Sequence, residues 1–326
     1  MDDFFNNNLT SFGEMRRKEE KGLSKAYNKV ALAPIMMLGV SFFINAVYLL
    51  LGSFLPFLNE GLALEIMDFF AYVVAILLPS FFLFLLLRKN GDFPTWNAPN
   101  RKIFFPFLLL SLGVSFLGNY VSSYISAIAE TFGITFTQPD FTPPTGGISF
   151  FLYFLQITIG AGLLEELFCR CLILGAVKPF GEKTAIFVSA FFFALIHGNF
   201  LQIPYAFVLG VFYGYITIRT GSILYSVIFH SLSNSISVLL TLSGTLLNEN
   251  IYNILSSLFV YISIVSGIVG LVLEISALKK GVFSFKKETS ILTTFQKIGR
   301  LFRSPVAIIN IIIFGIMAVG YIEIGG

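Results

Sequence analysis

Residues 160–175 read GAGLLEELFCRCLILG and set Glu165, Glu166 and Arg170 inside an otherwise apolar helical run. Ionisable side chains are expensive in hydrocarbon, so a membrane helix that carries three of them this close together marks an intramembrane site. Glu166 and Arg170 stand at i, i+4, where they can neutralise each other, and such a pair can also do no more than fix helix packing. Cys169 and Cys171 flank the arginine. At i, i+2 on a helix their side chains point to nearly opposite faces, which argues against a disulfide and for small apolar packing groups.

Outward from that stretch, the chain of 326 residues is 56% hydrophobic and 12% charged, with a mean hydropathy of +0.84. Soluble domains carry roughly 25% charged residues, and a soluble core this apolar would leave too little polar surface to meet water. Apolar runs fall at about 31–55, 66–87, 103–128, 149–177, 184–197, 202–218, 222–246, 251–278 and 305–322. They predict an all-α fold, a polytopic transmembrane helical bundle of about eight to nine spans, with a site buried among the helices of the 149–246 region. The two runs between 184 and 218 are short for a full crossing.

The expected organisation is a polar tail over 1–30, N-terminal membrane helices over 31–128, a core over 145–246 and C-terminal helices over 251–326. No apolar run lies near Met1, so no cleavable signal peptide is expected and the first span anchors the chain. The stretch Thr131 to Gly147 holds three prolines and reads as an irregular loop. Residues 281–304 mix Phe283, Phe285, Leu292, Phe295 and Leu301 with lysines and arginines, which suits either an amphipathic helix on the membrane surface or a solvated linker.

The basic residues order these spans. Of 21 lysines and arginines, six lie at Arg16 to Lys29, four at Arg88 to Lys102, two at Lys178 and Lys183, one at Arg219 and seven at Lys279 to Arg303. Alternate crossing puts all of these on one side, and the positive-inside rule then expects a multi-pass protein of the cell membrane with a cytoplasmic N-terminus and, for nine spans, an outside C-terminus. Arg170 is the one basic residue left inside a span.

The only two histidines, His197 and His230, both fall in or at the edge of predicted spans, and Asn234 follows His230 by one helical turn. Counted from the basic boundaries at 1.5 Å per residue, Glu165 lies roughly 20 Å deep, His197 roughly 21 Å, and His230 and Asn234 roughly 16 to 22 Å. Four polar side chains on three helices therefore reach a common depth. A carboxylate and a neutral imidazole can take a proton from water and return it to a leaving group. A second imidazole beside an amide supplies hydrogen-bond donors for an oxyanion. Amide or ester hydrolysis uses such a set, with Glu165 as base and Glu166 and Arg170 in support. Zinc held by Glu165, His197 and His230 is the competing chemistry, although no H-E-x-x-H pair is present.

At these residues the sequence resembles the CPBP intramembrane proteases, the CAAX-protease and bacteriocin-processing (Abi) family, related to type II CAAX prenyl endopeptidases. The motif E-E-x-x-x-R stands at Glu165 to Arg170, F-x-x-x-H at Phe193 to His197, and H-x-x-x-N at His230 to Asn234. The resemblance covers about residues 145–245. It implies that Glu165 activates water with His197 and that His230 and Asn234 stabilise the oxyanion. It also implies a membrane-embedded or lipid-anchored peptide substrate, prenylated or bacteriocin-like, drawn from the bilayer, with no nucleic acid and no required cofactor. Members that act as scaffolds or in bacteriocin immunity keep a non-catalytic alternative open. A transporter fits less well, because the chain shows no paired half-sequences.

Overall fold

The computed structural model describes residues 2–59, 61–144, 147–281, 283–287 and 290–324. Among the described residues ten helices carry the fold: α1 (Asp2–Phe54), α2 (Gly61–Leu87), α3 (Arg101–Glu130), a long segment α4 (Gly147–Phe180), α5 (Glu182–Leu195), α6 (Ile203–Thr220), α7 (Leu224–Leu246), α8 (Glu249–Lys279), α9 (Thr294–Leu301) and α10 (Pro305–Val319). The only sheet among the described residues is one antiparallel pair, β1 (Ile134–Phe136) with β2 (Ile322–Ile324). The chain is thus an all-α polytopic bundle.

Six of these helices, α1 to α4, α7 and α8, are long and apolar enough to cross a membrane, and seven if α9 and α10, bent by 63° at their junction, count as one span. By length and composition this is fewer than the eight or nine spans expected from apolar runs. The runs over 184–197 and 202–218 became α5 and α6, which pack into the protein core. Val188, Phe192 and Phe193 of α5 and Leu209, Tyr213 and Ile216 of α6 are buried with Phe168, Leu172 and Ile173 of α4. Burial in protein makes a segment as apolar as burial in lipid, so hydropathy alone cannot separate the two.

Two further stretches take on definite structure. The polar stretch through residue 30 is helical as the first part of α1, and Leu23, Ala26, Tyr27 and Val30 form a buried stripe at helical spacing. Among the described residues of 281–304, only Thr294–Leu301 is helical, started by a capping box between Thr293 and Gln296. That helix docks on the bundle through Leu301 and through a bond from the Tyr27 hydroxyl to the Lys297 carbonyl at 3.0 Å. Val282, Glu288 and Thr289 of this stretch, and Thr145 and Gly146 of the loop before α4, lie outside the described residues.

The basic segments meet at one end of the bundle. Lys178 pairs with Asp92 at 3.1 Å, Thr95 bridges to Ser222, Lys286 N–H donates to Glu182 at 2.8 Å and Lys297 Nζ donates to the Phe180 carbonyl at 2.6 Å. At the other end, the β1–β2 pair and the Phe136–Phe200 ring contact at 5.4 Å join the connections that lack lysine and arginine. Between the ends, α8 lies against α3 where a side chain on Gly113 would come within 2.3 Å of the Gly267 Cα, a close approach of small residues that suits helices in a bilayer.

Candidate active site

The quoted stretch departs from a regular helix on both sides of its carboxylates. Along α4, Leu155–Gly160 and Leu167–Leu174 are π-helical, and only Ala161–Glu166 between them is α-helical. Wide turns are rare and concentrate at functional sites, because they misalign backbone carbonyls that the neighbourhood must then satisfy. Side chains from adjacent helices do so here. Asn234 Nδ2 on α7 donates to the Ile157 carbonyl at 2.8 Å, and Ser189 Oγ on α5 donates to the Cys169 carbonyl at 2.9 Å.

A glycine sets the distance between α4 and α7. A Cβ on Gly162 would lie 2.1 Å from Ser231 Oγ and 2.9 Å from Ser231 N, so the two backbones touch at this point. That contact brings the carboxylates of α4 against His230. Glu166 Oε1 lies 2.9 Å from His230 Nδ1 and 3.1 Å from Arg170 NH1, and the Glu166 and Arg170 side chains are fully buried. Glu165 Oε2 stands 3.9 Å from His230 Nε2.

Aromatic rings complete the enclosure. Tyr213 stacks on His230 with centroids 5.3 Å apart, and Phe193 meets the same imidazole edge-on at 5.5 Å. The Arg170 guanidinium lies 4.1 Å above the Phe193 ring and 5.4 Å from that of Tyr213, so its charge is met by two π faces besides Glu166.

Glu165 faces the other way, into a cavity of about 330 Å³ whose polar lining comprises Ser41 and Asn45 of α1, Asp68 and Tyr72 of α2, Glu165 and His197. The Tyr72 hydroxyl donates to Glu165 Oε1 at 3.0 Å. His197 follows the end of α5, and its Nδ1 lies 2.7 Å from the Phe193 carbonyl. A carbonyl only accepts, so Nδ1 carries the proton and the neutral ring has its lone pair on Nε2.

The structure therefore brings Glu165 and His197 to one cavity, and Glu166, Arg170 and His230 into one buried cluster behind it. Asn234 sits a turn beyond His230 with its amide on α4. Among the described residues no three His, Cys, Asp or Glu side chains form a group able to hold a metal ion. His230 and His197 turn their Nδ1 atoms to Glu166 and to the Phe193 carbonyl, which leaves Nε2 of each ring as the nitrogen available to a ligand.

Tyr72 and Asp68 are site residues that the motifs do not contain. Asp68 carried a legible signal, a carboxylate within the apolar run 66–87. Tyr72 carried none, since tyrosine is ordinary in membrane helices and its partner lies far away in sequence.

Such a fold and site define a class, a polytopic membrane protein with a glutamate–histidine centre sunk into its helices. Residues 147–236 match the family described as type II CAAX prenyl endopeptidase Rce1-like. All three motifs lie within that segment, in agreement with the CPBP resemblance, and the match supports a membrane endopeptidase of the CAAX type in general. No curated protein and no solved structure matches the chain.

Proposed function

We propose that this protein is an intramembrane endopeptidase that hydrolyses a peptide bond of a membrane-embedded or lipid-anchored substrate with water activated by Glu165 and His197. The observation that carries the reading is their common cavity, which holds a carboxylate tethered by Tyr72 and an imidazole with a bare Nε2.

A water between the two loses its proton to Glu165 as its oxygen bonds to the scissile carbonyl carbon, and the carbonyl becomes an oxyanion. The His197 lone pair orients that water. Collapse of the tetrahedral intermediate breaks the C–N bond, and Glu165 returns the proton to the departing nitrogen. His230 is the nearest donor for the oxyanion, a role that requires a proton on Nε2 while Nδ1 faces Glu166. Asn234 contributes through the amide hydrogen that Ile157 does not take, or by holding the π-turn beneath Glu165 in shape. Glu166 and Arg170 orient His230 and do not touch the substrate.

A second reading, a non-catalytic scaffold or immunity protein, draws on the same Asn234 bond and buried ion pair, since both can be packing devices. Comparison of membrane-peptide fragments between cells carrying the wild type and cells carrying Glu165→Ala separates the two. Endopeptidase activity gives fragments that disappear in the variant, whereas a scaffold gives identical profiles. The reaction is proposed to need no metal, so a strong chelator should leave cleavage unchanged.

A further inference from the structure

An open surface groove, independent of the site above, lies at the basic end of the bundle. It has a volume of about 720 Å³ and is walled by the first part of α1, the end of α2 and Arg300 of α9. Arg17, Lys21, Lys25 and Lys29 recur every fourth residue along one side of α1, and Arg300 faces them, against the single carboxylate of Glu20. Glu20 is already shared between Arg16, at 3.1 Å, and Arg300. Lys29 donates to the Leu86 carbonyl at 2.8 Å. Arg17, Lys21 and Lys25 have no acidic partner among the described residues, so the groove gathers positive charge that the protein does not neutralise.

Its chemistry changes along the helix. Beyond Lys29 the lining becomes Leu32 and Leu86, both part of membrane-crossing helices. Cations at one end and branched apolar side chains at the other match a phosphate carried on an acyl chain, and basic clefts between helices at the membrane boundary are places where anionic headgroups collect. We infer that this cleft binds an anionic phospholipid, with its phosphate among Arg17, Lys21, Lys25 and Arg300 and an acyl chain over Leu32 and Leu86. A free phosphate shares the first half of this chemistry and lacks the second. An acidic protein segment would satisfy the charge without using the leucines.

The test uses the full chain reconstituted in zwitterionic phosphatidylcholine vesicles doped with phosphatidylglycerol, and native mass spectrometry of the lipid that stays bound on extraction. The wild type should retain phosphatidylglycerol over phosphatidylcholine. Arg17→Gln, Lys21→Gln and Lys25→Gln together should lower that preference by about a hundredfold, from roughly 1 kcal/mol per cation near the surface. These side chains are exposed, and the Arg17→Lys, Lys21→Arg, Lys25→Arg variant should keep the preference. An unchanged melting temperature in pure phosphatidylcholine confirms that the glutamine variant folds. Equal retention by wild type and glutamine variant overturns the inference. Displacement of the lipid by inorganic phosphate, when chloride at matched ionic strength does not displace it, overturns the lipid assignment, as does capture of an acidic protein in place of lipid.

Discussion

At the scale of single residues, the chain keeps charge in the membrane by surrounding it. Arg170 has a carboxylate on one side, two aromatic faces on another and the Gly210 carbonyl at 3.4 Å. Removing one member of a buried pair leaves the other uncompensated, which costs about 3 to 5 kcal/mol, whereas removing both costs less. Arg170→Met should therefore sharply lower the melting temperature of detergent-purified protein, and the Glu166→Gln, Arg170→Met double variant should recover part of the loss. Tyr72 works differently. Its single bond to Glu165 is worth about 1 to 1.5 kcal/mol, so Tyr72→Phe should reduce kcat about tenfold and leave KM and thermal stability nearly unchanged. A fall in stability without a fall in kcat would assign Tyr72 to packing. Glu165, Glu166 and Arg170 were legible because charge in an apolar run is costly wherever it occurs. Tyr72 was not, because nothing local to it marks a hydroxyl whose acceptor sits on another helix.

Between elements, the site depends on how α4 is shaped and how closely it lies against α7. Both π-helical stretches and the Gly162–Ser231 contact serve to bring Glu165 and Glu166 against His230. Gly162→Leu should push the helices apart, abolish cleavage and destabilise the protein. Gly267→Leu, at the α3–α8 crossing away from the cavity, should destabilise it while leaving kcat largely intact at permissive temperature. Equal effects of both substitutions on kcat would contradict the role given to the α4–α7 contact. Three motifs in order made this region readable as one site. The π-turns were not readable, since a wide turn adds one residue to a helix without altering its composition. The helices long and apolar enough to cross number fewer than the apolar runs for a related reason: α5 and α6 are largely buried against the rest of the protein.

For the molecule as a whole, the segregation of lysine and arginine foreshadowed which segments meet. The ion pair of Lys178 with Asp92 and the bond from Lys286 to Glu182 join stretches that the charge count had placed together. The proposal of a cytoplasmic N-terminus predicts that a cysteine at Ser284 reacts with impermeant reagent only from the cytoplasmic side and one at Thr137 only from the other. Reaction of both from one side would contradict that arrangement. The burial of Leu23, Ala26, Tyr27 and Val30 was not read from the sequence, because high local charge masked that stripe.

The central proposal is that Glu165 is the base that activates water. Purified protein reconstituted in vesicles, given a panel of lipid-anchored peptides and followed by mass spectrometry in heavy-oxygen water, tests that role most directly. The account predicts cleavage at a defined bond with the label in the new carboxylate, and a fall of about 10² to 10⁴ in rate for Glu165→Gln with the fold retained. Cleavage by Glu165→Gln at the wild-type rate would contradict it.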